Sequence, residues 1–176
     1  MEITIRKADA ADLDAVVRVY EHVHDAEEAG PAQVGWIRGV YPVRSTAEAA
    51  LERGDLFVEE ADGAVVGTGI FNRLQADVYA GAPWQYDAPD DQIMVLHTLA
   101  VDPQAGKRGL GRAFAAFYEQ YAREHGCRYL RIDTNAKNAN ARRFYAGLGY
   151  REIAVRPCTF NGIGIVDLVL LEKKLD

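Results

Sequence analysis

Apolar and polar positions alternate along this chain with two different periods. Ile93 to Val101 is almost unbroken apolar sequence, as expected for a strand buried on both faces. Leu110, Phe114, Phe117, Tyr118 and Tyr121 recur at helical spacing, and Gly126 closes that segment. Leu13, Val16, Val17 and Tyr20 form a second helical stripe, with Asp9 as its N-cap and Asp12 in its first turn. Ser45-Thr46-Ala47-Glu48 reads as a capping box opening a short helix that Gly54 ends. Asn138 or Asn140 opens another through Phe144 and Leu148. Strands are predicted over 3–6, 55–60, 64–71, 129–134, 151–156 and 165–172. Asp62-Gly63 makes a hairpin turn, and the last two strands join near Asn161-Gly162. Residues 25–44 and 75–91 read as irregular. Helices and strands mix throughout, which predicts an α/β or α+β domain with a mixed sheet over residues 1–176.

Composition narrows the class. A chain of 176 residues suits one domain with a sizeable core. No apolar run reaches the roughly 18 residues that a membrane helix needs, and the first residues lack a signal peptide's apolar core. A cytoplasmic protein with no membrane partner is therefore expected. A net charge of −6 points away from nucleic acid and towards a cationic substrate. Cys127 and Cys158 have no disulfide or metal spacing and read as reduced thiols. His22 and His24, near Asp25, Glu27 and Glu28, lie two apart on a helix and so point away from each other. They read as part of a solvated or substrate-side acidic face, and no metal is expected. His125 falls at a helix end and reads as structural.

Against this acidic background one segment stands out. Lys107-Arg108-Gly109-Leu110-Gly111-Arg112 joins the long apolar strand to the next helix. Helix N-termini carry unpaired N–H groups and partial positive charge, and glycines admit a phosphate close to them. Lys107, Arg108 and Arg112 add full charges. A Walker A loop would require Gly-Lys-Ser/Thr, and a dinucleotide fingerprint a third glycine; neither is present. The remaining alternative is a plain turn with solvated cations.

A second segment, Asp133 to Tyr150, carries Asn138, Asn140, Ala141, Tyr145, Gly149 and Tyr150. Together the two segments resemble the GNAT superfamily of acetyl-coenzyme A-dependent N-acetyltransferases. The first matches its glycine loop at Gly109 and Gly111, the second its Asn…Ala-x-x-x-Tyr…Gly-Tyr helix. Gly106 stands where the family carries Gln or Arg, and Lys107 where it often carries Gly. The resemblance implies a twisted, mostly antiparallel sheet of six or seven strands with about four helices. It implies that strand 93–101 splays from strand 129–134 and that acetyl-coenzyme A lies in the gap. The coenzyme would bond backbone groups of Leu99, Ala100 and Val101, its diphosphate would sit on residues 107–112, and Asn140 would hold the pantetheine or diphosphate. Locally, Asn140 reads equally well as a first-turn or capping residue.

Two side chains are candidates for proton transfer. The Tyr145 hydroxyl stays protonated at neutral pH and would donate to the departing thiolate; its other reading is a core tyrosine beside Phe144. His97 would relay the proton of the amine, as the similar run in arylalkylamine N-acetyltransferases suggests; its other reading is a buried, hydrogen-bonded histidine. Strand alternation would put Val95, His97, Leu99 and Val101 on one face. The expected reaction moves acetyl to a primary amine of a small molecule by direct attack, with Trp84 and Tyr86 of the 75–91 loop walling the pocket. Alternatives are a protein or peptide acceptor, or a non-catalytic coenzyme A-binding module. The C-terminal hairpin offers an edge through which a homodimer could pair.

Overall fold

The computed structural model describes residues 1–31, 33–160 and 162–176. In chain order the elements are β1 (Ile3–Lys7), α1 (Leu13–Ala29), α2 (Arg44–Arg53), β2 (Leu56–Ala61), β3 (Ala64–Asn72), β4 (Ile93–Val101), α3 (Leu110–Glu124), β5 (Tyr129–Asn135), α4 (Ala139–Gly147), β6 (Arg151–Phe160) and β7 (Gly164–Lys174). The strands form a single sheet in the order β1-β2-β3-β4-β5-β7-β6. Every neighbouring pair is antiparallel except β4 and β5, which run parallel because α3 forms the crossover between them.

β4 is buried on both faces. Met94 and Leu96 point towards α3, where they meet Phe57, Phe71, Phe114, Tyr118, Leu130 and Ile132. Phe114 is fully buried, worth about 1.5–3 kcal/mol relative to exposure. Gly69 lets it approach, since a Cβ there would stand 2.8 Å from the Phe114 ring. On the opposite face α1 and α2 lay Val16, Val19, Tyr20, Ala47 and Ala50 over Leu56, Val58 and Ile70. The 75–91 segment covers Ile93, Val95, Leu168 and Leu170 with Tyr79 and Trp84.

The elements depart from the sequence pattern in four places. α1 continues to Ala29, so residues 25–29 are helical. α2 begins at Arg44; Ser45 lies inside it, and the Thr46 hydroxyl accepts from the Val43 N–H at 3.1 Å. The 75–91 segment contains two single 3₁₀ turns, Asp77–Tyr79 and Asp90–Gln92. β6 and β7 extend well beyond the predicted spans. The expected junction at Asn161 lies outside the described residues. Among these residues no helix is long and apolar enough to cross a membrane.

Candidate active site

β4 and β5 pair only from Ile93 opposite Tyr129 to Leu96 opposite Ile132. Beyond Leu96 a bulge redirects β4. His97 pairs with Ile70 and Ala100 with Thr68, so Thr98 and Leu99 together oppose Gly69. Thr98 takes the left-handed conformation, φ 50°, and its hydroxyl is bonded to that of Tyr41. A cavity of about 470 Å³ occupies the resulting gap. Thr98–Val101 line one side, Ile132–Asn135 the other, and Ala141 and Tyr145 of α4 close one end.

The N-terminus of α3 lies past the end of β4. Gly109, its N-cap, has φ 74°, and no side chain caps the helix. Among the described residues no protein group accepts from the N–H groups of residues 106–112. Lys107, Arg108 and Arg112 are exposed around them. This is an unfilled cradle of donors with surplus positive charge, suited to an anion. Asp102 anchors its approach. One carboxylate oxygen accepts from the Gln104 N–H at 2.8 Å, and the other from His22 Nδ1 of α1 at 2.9 Å.

Tyr145 is buried, and no described residue bonds its hydroxyl, which lines the cavity. Burial, then the Asp133 charge, pushes that hydroxyl above the usual tyrosine range, so it is a proton donor at neutral pH. Asp133 lies one residue past the last β4–β5 pair and accepts from the Tyr79 hydroxyl at 2.6 Å. Residues 33–36 strap over the gap. Glu27 holds this strap by accepting from the N–H groups of Gln33, Val34 and Gly35 at 2.9, 3.2 and 2.6 Å. Trp36, Tyr41 and Phe160 complete the wall.

The sequence profile of the acetyltransferase (GNAT) family matches residues 17–150. The chain belongs to that family. The family is one of acetyltransferases. A mycothiol acetyltransferase of Cellulomonas flavigena is 29% identical over 96 residues, which cover 54% of this chain and 26% of that protein. The chain thus spans about a quarter of that relative's length. Among solved structures, a GNAT-family acetyltransferase of Streptococcus agalactiae superposes with a TM-score of 0.82 at 21% identity, covering 99% of this chain and 96% of that one. The acetyltransferase yncA of Salmonella typhimurium, solved with its cofactor acetyl-CoA, gives 0.70 at 23% identity over 100% and 95%. These two likenesses are of fold.

Within this GNAT frame the expected site residues divide. Leu99, Ala100, Val101 and Tyr145 line the cavity. Gly109, Leu110, Gly111 and the three cations surround the cradle. A Cβ on Gly111 would stand 3.4 Å from the Phe144 ring, in ordinary contact. Asn140 does not line the cavity; it is exposed and donates to Gln33 Oε1 at 3.1 Å. Asn135 and Asn138 line the cavity, and the Asn138 side chain caps α4 by accepting from the Ala141 N–H. His97 is also outside the lining, because the bulge separates its direction from that of Leu99. It donates from Nε2 to Asn72 Oδ1 at 2.7 Å, and burial lowers its pKa to about 4. Trp84 and Tyr86 do not wall the pocket: Trp84 stacks on Arg131, 3.9 Å from the guanidinium carbon, and Tyr86 packs on Tyr129. From the 75–91 segment Tyr79 alone reaches the site, through Asp133. His24 donates to the Pro42 carbonyl, and the described residues include no cluster able to hold a metal. Asp133, Asn135 and Asn138 line the cavity although the sequence did not mark them as site residues; Asn138 was legible only as a helix start. An acid at the end of an apolar strand was the available signal for Asp133.

Proposed function

We propose that this enzyme moves acetyl from acetyl-coenzyme A to a primary amine of a small molecule by direct attack. The observation that carries the reading is the unbonded Tyr145 hydroxyl in the cavity beside the unpaired edge of β4. Bound acetyl-coenzyme A supplies the thioester. The N–H and C=O groups of Leu99 and Val101 would take its pantetheine arm as an added strand. The cradle at Lys107–Arg112, with Gly109 and Gly111, would take its diphosphate. The backbone at Leu99 would polarise the carbonyl. As the amine's lone pair forms the new C–N bond and the C–S bond breaks, Tyr145 gives its proton to the leaving sulfur. No cysteine lines the cavity among the described residues, which supports direct attack over a covalent relay. The proton lost by the amine leaves through groups that face the cavity, and His97 keeps a packing role. Edge strand β6, where Val155 is exposed, is the surface we assign to pairing with a second copy.

The test is a panel of amines and N-terminal peptides with acetyl-coenzyme A, following free thiol and product mass. Thiol release with a product one acetyl heavier, on a small amine, is the expected result. Turnover on peptides alone would move the acceptor to proteins. Binding of acetyl-coenzyme A without any turnover would leave a coenzyme-binding module.

A further inference from the structure

We infer that the acceptor is a cationic amine with an apolar body and no carboxylate of its own, recognised by Asp133 and the Trp36–Tyr41–Phe160 wall. The inference rests on the small-amine reading above and names the class of amine.

The charges around the cavity carry it. Among the described lining residues there is no Arg, Lys or His; the charged side chains are Glu27 and Asp133. Glu27 is occupied by three backbone N–H groups of the strap. Asp133 has one described partner, Tyr79, on Oδ2, which leaves Oδ1 for a ligand. Tyr79 is held in turn, since the Trp84 indole donates to its carbonyl at 2.9 Å and packs on its ring. Tyr79 therefore aims the carboxylate. A carboxylate sunk in apolar surroundings is held up towards its neutral form, and a bound cation reverses that cost. The charge of Asp133 bears on the hydroxyls of both Tyr145 and Tyr41. An ammonium at Asp133 would share one cavity with the proton donor and the aromatic wall. In that wall Tyr41 meets Trp36 edge-on at 6.1 Å and Phe160 at 5.3 Å, rings that accept a cation or an apolar body. An α-amino acid would bring its own carboxylate against Asp133 with no protein cation to meet it. Like charges in such a site penalise the wrong ligand strongly.

The experiment compares phenethylamine with phenylalanine, and phenylalaninamide as the neutralised form, by kcat/KM with acetyl-coenzyme A. The expected result is the amine and the amide above the amino acid by about 10²-fold or more. Phenylalanine within about tenfold of phenethylamine would overturn the inference while leaving acetyl transfer standing. Should no small amine turn over, calorimetry on the coenzyme A-loaded protein decides. Binding of phenethylamine and not phenylalanine upholds the recognition site although the transfer reading fails; equal binding, or none, overturns it. Asp133→Asn should raise the phenethylamine KM about tenfold or more, with coenzyme affinity little changed, since the amide oxygen still accepts from Tyr79. An unchanged KM in a folded variant refutes the assignment. If that variant does not fold, the wild-type comparison stands alone.

Discussion

Leu96 on β4 and Ile132 on β5 are the last residues at which the two strands face each other. Their side chains stay in the core with Phe114 and Tyr118, so the sheet is tight up to this pair and open directly after it. The opening leaves backbone groups of β4 unpaired, which is unfavourable until something hydrogen-bonds them. An extended ligand arm answers that need. The cavity, the Tyr145 hydroxyl and the Asp133 carboxylate all lie where the pairing stops.

Tyr145→Phe removes one unbonded hydroxyl and no packing. Its kcat should fall about 10²-fold when chemistry limits turnover, with acetyl-coenzyme A affinity changed little. An acetyl donor with a more acidic thiol should narrow the gap, because a better leaving group needs less help. Single-turnover rates would check this; an unaltered kcat would leave Tyr145 as a packing residue.

Gly109 holds φ 74° at the mouth of the phosphate cradle, a conformation that a β-branched residue adopts only under strain of about 1–3 kcal/mol. Gly109→Val should weaken acetyl-coenzyme A binding about tenfold or more and abolish the rise in Tm that the coenzyme gives. Space is not the cause, since nothing lies within 4 Å of a Cβ there. Wild-type affinity in this variant would remove the loop from the binding site.

His97 links folding to pH. Burial holds its pKa at about 4 in the folded chain against 6.5 for the free side chain. The unfolded chain therefore takes up a proton first as pH falls from 6.5 to 4. Stability contributed by neutral His97 is complete above that window and is lost through it, by up to about 3 kcal/mol. His97→Gln should flatten this part of the pH–stability curve in denaturant titrations, and should leave the acid limb of the pH–rate profile in place. Loss of that limb would make His97 the base.

Glu59 has the opposite sign. It is fully buried beneath Gly67, and neither carboxylate oxygen has a partner. Burial raises its pKa to about 7 from 4.5. Its contribution is complete below pH 4.5 and is lost as pH rises through 7. Glu59→Gln should match the wild type near pH 4.5 and melt several degrees higher at pH 8, at about 2–4 °C per kcal/mol. Equal melting at both pH values would mean that the carboxyl finds a partner in solution.

The span of β4, Ile93 to Val101, was readable because a strand covered on both faces is almost continuously apolar, here apart from His97 and Thr98. The α3 stripe and the cradle were readable because their signals lie within one or two turns. Thr98 was not: its positive φ is imposed by pairing with β3 and by the Tyr41 hydroxyl, 57 residues away. That one bulge sends His97 to Asn72 while Leu99 faces the cavity, which simple alternation cannot anticipate. Asn138 and Asn140 differ by two positions: Asn138 caps α4 by accepting from the Ala141 N–H, while the exposed Asn140 reaches Gln33 of the strap. Trp84 looked like a pocket wall as an aromatic in a loop, but Arg131 draws it to the other end of β5.

Local chemistry thus made most of the elements, the donor-rich start of α3 and the family legible, because hydrogen bonds, helical periodicity and charge act over a few residues. The acceptor half of the site depended on the assembled sheet. The role proposed for Asp133 depends on Tyr79, 54 positions away, and on the lack of a cation among the described residues of a cavity built from α1, the strap, β4, β5, α4, β6 and β7. Contacts between distant segments form only when the core closes, and the carboxylate's environment is set by that closure.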